Sequence, residues 1–309
     1  MLDVRRLRVL REVAQRGSFS AAADALAYTQ SAVSQQIAAL EREAGTRLVE
    51  RNARGVRLTD AGRALVEHAE AILARLADAE AELEAIAGLR GGRLRLSAFQ
   101  SAGATLVPQA MAAFHRRYPD VELALTQAEP EPATEMMRAG ELDIAIVYDF
   151  DGMTGGIDEQ LDAVYLLDDQ YDLLLAADHP LAERARVRLS DLADERWVNS
   201  CPPSGCRRAI VHACNQAGFE PNVDFELDDI LAMQALVAAG MGVTLLPRLG
   251  LTTVHPGVVV RPLDREAPVR HIHAARLRDA YESPATTAMM QMLVDIAAEY
   301  RPEDAVAVA

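Results

Sequence analysis

The sequence contains no lysine, so all 31 of its basic residues are arginine. That absence excludes mechanisms that depend on a lysine, such as a pyridoxal Schiff base or a Walker A phosphate loop. Cysteine is also scarce, because Cys201, Cys206 and Cys214 are the only three and are too few for a disulfide framework. The sequence also lacks a G-x-S-x-G elbow, a histidine–glutamate metal motif and a glycine-rich phosphate loop after a strand. We therefore expect no enzyme, no metal and no cofactor.

Long hydrophobic runs are missing as well. The first ten residues, MLDVRRLRVL, lack the apolar core of a signal peptide. The most apolar window, residues 230–247, contains Gln234, two glycines and a closing Pro247, which favours a helix, a glycine turn and a buried strand. We expect a cytoplasmic protein that makes no membrane contact.

Charge is distributed unevenly along the chain. The formal net charge of −15, taken alone, argues against a nucleic-acid-binding protein. Residues 1–63, however, hold 11 arginines and 7 acidic residues, whereas residues 91–309 hold 18 arginines and 33 acidic residues. This asymmetry predicts a basic attachment module joined to an acidic body with a different task.

Three short helices are predicted at the N-terminus from apolar residues that recur at helical spacing. Their predicted ranges are residues 4–16, 21–27 and 29–44. Gly17 and Gly45 end the first and third helices, and Ser18 or Ser20 can cap the second. Two strand-like runs in residues 47–58 then predict a hairpin.

The polar positions of the second and third helices are mostly serine, threonine and glutamine, where an ordinary surface helix carries charged residues. Two short helices joined by a few residues match a helix-turn-helix, whose second helix enters the major groove of DNA. Amide and hydroxyl groups suit that groove because base edges offer both donors and acceptors. Arginines of the hairpin are placed for phosphate or minor-groove contact. The predicted DNA-binding residues are Ser18, Thr29, Gln30, Ser31, Ser34, Gln35, Arg51, Arg54 and Arg57.

A long helix is predicted to begin at Thr59 and to carry a heptad seam. Apolar residues alternate along it at spacings of four and three, which is typical of a coiled coil. The seam residues are Leu65, Ala69, Ile72, Leu76, Ala79, Leu83 and Ile86. A stripe this narrow needs a partner helix, and the same helix of a second chain is the simplest one. Packing of the helix on its own chain is the alternative.

Strands alternate with helices after the glycine-rich linker at residues 88–92, which predicts a parallel α/β architecture. The first series has strands at residues 93–99, 121–127 and 142–148, with helices at 106–118 and 131–139. The second series has strands at residues 163–169, 171–177, 225–229, 243–247 and 258–263, with helices at 206–217 and 230–239. A last strand at residues 269–277 and a helix at 284–300 could rejoin the first series.

The stretch from Ser18 to Gly62 resembles the winged helix-turn-helix of LysR-type transcriptional regulators. The matching positions are Ser18, Phe19, Ala22, Ala23, Leu26, the run from Thr29 to Ser34, Ile37, Leu40, Glu41, Gly45, Leu48, Arg51, Leu58, Thr59, Ala61 and Gly62. One departure is Val49, where the family usually has phenylalanine. The resemblance extends over the whole chain, including residues 103–123, 141–147 and 236–247.

This resemblance implies an α/β protein with three parts. Residues 1–58 would form a winged helix-turn-helix DNA-binding domain, and residues 59–90 a linker helix for dimerisation. Residues 91–309 would form an effector-binding domain of periplasmic-binding-protein type, with one subdomain at about 91–162 and 267–300 and another at about 163–266. The implied activity is binding of double-stranded promoter DNA modulated by a small-molecule effector. A homodimer or a homotetramer stays open, as does contact with RNA polymerase.

The effector site is predicted where strands of the two subdomains end, since doubly wound sheets bind ligands at the carboxyl ends of their strands. The predicted residues are Gln100, Ser101, Gln127, Tyr148, Asn199, Pro203 and Ser204. Few charged side chains fall at these positions, so we expect a neutral or singly charged effector.

Three alternatives remain open at this point. Some members of the family sense oxidants through a cysteine pair, and Cys201 and Cys206 have four residues between them. An enzyme built on the α/β body is a weaker alternative, because His271 and His273 fit the surface of a strand. A solute-binding protein whose N-terminus serves only assembly would not need the polar face and the hairpin arginines.

Overall fold

The computed structural model describes residues 2–52, 55–86, 92–153, 156–264 and 267–300. Its N-terminal part contains helices α1 (Val4–Arg16), α2 (Phe19–Leu26) and α3 (Gln30–Ala44). Side-chain oxygens of Asp3, Ser18 and Thr29 accept a backbone N–H at the start of each helix. The second helix starts two residues earlier than predicted because Ser18 is its cap. Within the described residues, no helix is long and apolar enough to cross a membrane.

A buried apolar core holds the three helices together. Leu10 of α1, Phe19 of α2 and the α3 residues Val33, Ile37 and Leu40 are all buried in it. The spacing of these three α3 residues places them on one side of the helix, so its polar residues face away from the core.

A short antiparallel hairpin follows, formed by β1 (Val49–Asn52) and β2 (Gly55–Leu58). It is fixed to the turn between α1 and α2, because the backbone N–H of Val56 donates to the carbonyl oxygen of Gly17 at 2.9 Å. Gly55 has φ +132, and a Cβ there would lie 2.7 Å from that same oxygen. The hairpin therefore approaches α1 more closely than a residue with a side chain would allow.

The long helix α4 (Asp60–Ile86) presents two different faces below the hairpin. The predicted seam residues Ile72, Leu76 and Leu83 are 40%, 44% and 67% exposed. Ala69, in contrast, is fully buried in the core formed with α1, α2 and α3, and Leu65 packs against that core. The seam prediction is therefore wrong for Ala69, whose own chain already covers it.

The remaining seam residues can be placed only in part. Ala79 is exposed, whereas the side chain of Ile86 lies outside the described residues. Exposure of the seam over residues 72–83 leaves that face free for a partner.

The other face of α4 lies against the body of its own chain. Gly140 has φ +68, and a Cβ built on it would lie 2.9 Å from the Cα of Ala74. Nearby, Arg75 donates from Nη1 to the carbonyl oxygen of Asp279 at 2.9 Å. The packing of this helix on its own chain, weighed above as an alternative, is thus present on the face opposite the seam.

The first α/β subdomain contains β3 (Arg93–Ala98), α5 (Gln100–Ala104), α6 (Leu106–Arg117), β4 (Glu122–Gln127), α7 (Pro130–Arg138) and β5 (Ile144–Phe150). Strand β3 is central and pairs in parallel with both β4 and β5. The short helix α5 was not predicted from the sequence. The parallel strands bring the ends of β3, β4 and β5 to one edge of the sheet.

Two long strands connect the subdomains. Strand β6 (Leu161–Ala176) pairs through its first part with β11 (Val269–Leu277). Its second part pairs with β9 (Thr244–Pro247) and β10 (Val258–Arg261). The prediction of two separate strands at residues 163–169 and 171–177 is wrong. The acidic residues Asp168 and Asp169 do not interrupt β6, because His271 and Arg270 of the neighbouring strand bind them.

The second subdomain contains β7 (Arg196–Asn199), α8 (Gly205–Gln216), β8 (Asn222–Glu226), α9 (Ile230–Ala238), β9 (Thr244–Pro247) and β10 (Val258–Arg261). Strand β8 lies earlier than predicted, because Asp229 caps α9 instead of extending the strand. Helix α10 (Pro284–Glu299) returns to pack against α6. The mixed α/β fold is confirmed, and its last strand and helix do rejoin the first series.

Gly62, near the start of α4, should tolerate no side chain. A Cβ there would lie 2.0 Å from the carbonyl oxygen of Leu48. Helix propensity alone would make Gly62→Ala stabilising by about 1 kcal/mol, but overpacking costs about 1–3 kcal/mol. We expect Gly62→Ala to lower the free energy of unfolding, measured by urea denaturation with circular dichroism. Gly103→Ala in α5 is the matched control, because its Cβ would lie 3.8 Å from its nearest neighbour. Equal stability of the two variants would contradict the expectation.

Candidate functional site

The N-terminal end of α3 presents uncharged polar side chains to solvent. Gln30, Ser31 and Gln35 are exposed, and Ser34 is half-buried beside them. Thr29 is exposed too, but its Oγ1 caps the helix by accepting the N–H of Ala32 at 3.2 Å. Because the opposite side of α3 is buried, this end of the helix holds amide and hydroxyl groups on a rigid support.

Residues around this polar face differ in what they can contact. Ser18 is half-buried, and its Oγ lies 3.4 Å from the N–H of Ala21, so it serves mainly as a helix cap. Arg57 is exposed on the hairpin. Arg54 and the side chain of Arg51 lie outside the described residues. Tyr28, which the sequence interpretation passed over, is 50% exposed directly before the cap of α3.

A cavity of about 110 Å³ lies between the two α/β subdomains. Five of the predicted effector residues line it, which are Gln100, Ser101, Gln127, Pro203 and Ser204. They come from the ends of β3 and β4 on one side and from the loop before α8 on the other. The topological rule therefore located four of the polar side chains that line this cavity, those of Gln100, Ser101, Gln127 and Ser204.

Two other predicted effector residues do not line the cavity. Asn199 is fully buried, and its Oδ1 accepts the N–H of Ser200 at 2.8 Å, so the prediction of an effector contact is wrong for it. Tyr148 is also buried; it lines a neighbouring cavity of about 350 Å³ and contacts the wall of this one. Its hydroxyl donates to Glu129 at 2.7 Å and accepts the thiol of Cys206 at 3.3 Å.

Charged residues in the cavity wall were missed by the sequence interpretation, which expected few charges. Glu129, Asp228 and Arg270 all line the cavity. Glu129 lies two residues beyond Gln127, which the topological rule selected, whereas Asp228 was predicted to belong to a strand at residues 225–229 and lies two residues after the end of β8. Arg270 stands next to His271 on a predicted strand, and no local pattern marks it as a buried residue.

Arg270 is the centre of a buried polar cluster. Its Nη2 donates to Asp169 Oδ2 and to Ser101 Oγ, both at 2.6 Å. The guanidinium carbon lies 4.4 Å from the centre of the Phe99 ring, within the range of a cation–π contact. Burial alone would lower the pKa of Arg270, but the carboxylate of Asp169 raises it, so the guanidinium stays charged.

Asp169 shows the opposite balance. Its burial raises the pKa of the carboxyl, whereas Arg270 and the backbone N–H of Leu249 oppose that rise. The pair thus contributes little net charge to the cavity. It joins β6 to β11 at the point where both strands pass between the subdomains.

The three cysteines are free thiols in different surroundings. Cys206 faces Tyr148, and its sulfur lies 3.9 Å from Nη1 of Arg270. Cys201 is half-buried at the cavity, and partial desolvation together with Asp228 raises the pKa of its thiol. Cys214 is fully buried, which raises its pKa to about 12. In the part of the chain that the structure describes, no group of three or more histidine, cysteine or acidic residues could hold a metal ion.

Comparison with protein families gives two matches that together span most of the chain. Residues 4–63 match the model described as "Bacterial regulatory helix-turn-helix protein, lysR family", and residues 87–298 match "LysR substrate binding domain". The first match covers α1 to the start of α4, and the second covers both α/β subdomains.

Individual relatives agree with these matches. The transcriptional dual regulator GltC of Bacillus subtilis (strain 168) is 33% identical over 264 residues, which cover 84% of this chain and 85% of GltC. A hydrogen peroxide-inducible genes activator of Pectobacterium carotovorum subsp. carotovorum is 31% identical over 293 residues, which cover 93% and 95% of the two chains. The structure of full-length CbnR, solved in complex with its target DNA, matches with a TM-score of 0.66 at 21% identity. The match covers 96% of this chain and 100% of the CbnR chain.

Proposed function

Because this chain belongs to the family of LysR-type transcriptional regulators, we propose that α3 contacts base edges of promoter DNA under the control of an effector in the cavity between the subdomains. The observation that carries the proposal is the exposed, uncharged face of Gln30, Ser31 and Gln35 on a helix whose other side is buried. Glutamine can bond adenine bidentately, and serine can bond either type of base. Acidic residues at these positions would repel phosphate, and a strongly basic face would favour binding to any sequence.

The hairpin supplies the sequence-independent part of the proposed interaction. Arg57 is exposed on β2, and its guanidinium group can neutralise a phosphate. The N-terminal balance of basic over acidic residues supports this role, although the chain as a whole is acidic. We expect Arg57 to position the domain on the duplex and α3 to select the sequence.

Replacement of Gln30 by alanine should weaken specific DNA binding while leaving non-specific binding unchanged. A lost bidentate contact costs about 1.4 kcal/mol, so affinity for the operator should fall about tenfold. The measurement is a mobility shift with DNA upstream of the protein's own gene, compared with random DNA of the same length. Arg57→Ala should instead weaken binding to both DNAs and make it less dependent on salt.

Gln291→Ala is the control for these variants, since it removes an exposed glutamine from α10 in the effector-binding part. It should leave both affinities unchanged. If Gln30→Ala discriminated between operator and random DNA as well as the unaltered chain does, the assignment of α3 would be wrong.

The cavity supports the regulatory half of the proposal. Its wall combines residues of both subdomains, and β6 and β11 are the strands that connect them. A small molecule bound there would touch both subdomains and thereby stabilise one of their relative orientations. The amide of Gln100 can orient it, and the hydroxyls of Ser101 and Ser204 can donate to it while their oxygens accept from Arg270 and from the N–H of Arg207.

The exposed seam of α4 supports assembly of two chains through this helix. Ile72, Leu76, Ala79 and Leu83 form an apolar stripe on the face opposite the contact with the chain's own body. Two such stripes would cover each other in a coiled coil. A dimer would also present two copies of α3 to the two halves of an operator. A homodimer or a homotetramer, contact with RNA polymerase and a cytoplasmic location are further parts of the proposal.

Leu76→Asp should separate the chains at this helix, because it places a carboxylate in the apolar stripe of both copies. Sedimentation velocity should show a smaller species than for the unaltered protein at the same concentration. Ala71→Asp adds the same charge to an exposed position away from the stripe and should not change sedimentation. An assembly that Leu76→Asp left intact would count against this seam.

Oxidant sensing is a second candidate for the signal, and Cys206 is the observation that favours it. Its sulfur lies beside Arg270 at the cavity to which Cys201 also contributes, and one relative is named as a hydrogen peroxide-inducible genes activator. Hydrogen peroxide would then change operator binding of the unaltered chain but not of Cys206→Ser. Regulation by a bound effector would instead persist in Cys206→Ser, so the two signals are distinguishable in one mobility-shift series.

A further inference from the structure

The arginines around the cavity already form ion pairs with carboxylates of the same chain. Arg270 pairs with Asp169 at 2.6 Å. Arg207 and Arg208, in the first turn of α8, pair with Glu226 at 2.6 Å and with Glu131 at 3.3 Å. No positive charge in this set is left over for a ligand.

Two carboxylates that line the cavity, in contrast, have no ion-pair partner among the described residues. Glu129 accepts only the Tyr148 hydroxyl, and Asp228 accepts the backbone N–H of Cys201 at 3.0 Å. Glu129 belongs to the first subdomain and Asp228 to the second, so they stand on opposite sides. Burial raises the pKa of Glu129, the hydroxyl of Tyr148 and the positive charge of Arg270 lower it, and the negative charge of Asp228 raises it, so Glu129 is close enough to Asp228 to be affected by its charge.

Buried donors in the same wall also lack partners. Tyr171 is 1% exposed, and its hydroxyl lies near the weakly hydrogen-bonding thiol of Cys206 but has no oxygen or nitrogen acceptor among the described residues. The Nε–H of Arg270 is likewise buried without an acceptor. Both residues line the cavity. Buried donors without acceptors are costly, so this end of the cavity is suited to a ligand that supplies an acceptor oxygen.

We propose that the effector is a small molecule with an amine or guanidine cation at one end and an acceptor oxygen at the other. This inference rests on the proposed function of the cavity. The cation would lie between Glu129 and Asp228, and the oxygen would accept from Tyr171 and Arg270. The cavity volume of about 110 Å³ limits the ligand to a compact skeleton.

A cation at this place would also act on the cleft itself. Without it, two carboxylates on opposite subdomains repel each other. With it, each is attracted to the same charge, which favours a closer approach of the subdomains. The ligand class and its effect on the conformation thus follow from the same two residues.

Three matched probes test the ligand class. They are 4-aminobutan-1-ol, butane-1,4-diol and 4-hydroxybutyrate, which share four carbons and one hydroxyl and differ in the charge of the other end. Ligand-detected NMR titrations of the full chain should show at least tenfold tighter binding of the amine than of the diol. The carboxylate should bind more weakly than either. Comparable or tighter binding of the carboxylate, or no binding of the amine, would overturn the proposal.

Variants of the two carboxylates then locate the cation. Glu129→Gln and Asp228→Asn should each reduce the preference for the amine over the diol at least tenfold. Glu135→Gln removes the same charge from an exposed position on α7 outside the cavity, and it should leave the preference unchanged. A preference that survived in both cavity variants would also overturn the proposal.

Operator binding, measured separately, distinguishes this inference from the proposed function on which it rests. If the amine binds with the expected preference but no metabolite changes operator affinity, the regulatory function fails and the ligand class stands. If an uncharged or acidic metabolite changes operator affinity and 4-aminobutan-1-ol does not compete with it, the regulatory function stands and the proposed ligand class fails.

Discussion

The ion pair between Arg270 and Asp169 is the interaction on which the effector-binding half of the molecule depends. It is buried where β6 and β11 run side by side between the subdomains. Removal of one member of such a pair costs about 3–5 kcal/mol, because the other charge is left buried. The same guanidinium also reaches Ser101 of the first subdomain and approaches Cys206 of the second. One side chain thus joins the connecting strands to both walls of the cavity.

The cavity and the proposed DNA-binding face are far apart in sequence but are connected by packed elements. Helix α7 follows directly on Glu129 at the cavity, and the turn that ends it, at Gly140, lies against Ala74 of α4. Helix α4 begins next to the hairpin and shares the core of the DNA-binding domain through Ala69. Helix α7 therefore connects the cavity to α4, and α4 connects this contact to the core of the N-terminal helices.

The DNA-binding part was predictable because its determinants are local. Helix caps such as Ser18 and Thr29 and the closing glycines act within a few residues, and the spacing of Val33, Ile37 and Leu40 fixes the orientation of α3. The cavity was predictable only in outline. Asp169 and Arg270 are 101 residues apart in the sequence, and no local pattern indicates that they form an ion pair. Two strands were predicted in place of β6 for the same reason. Asp168 and Asp169 indicate the end of a strand unless their partners on the neighbouring strand are known.

The close approach of Gly140 to Ala74 limits how the long helix can respond to the body of the protein. Gly140 has φ +68, and its turn leaves almost no space for a side chain beside the helix. The turn and the helix therefore cannot move closer to each other. In the proposed dimer the opposite face of that helix is held by the second chain. A tilt of the effector-binding half would then displace α4 as a whole. The distance between the two copies of α3 in the proposed dimer would change as a result.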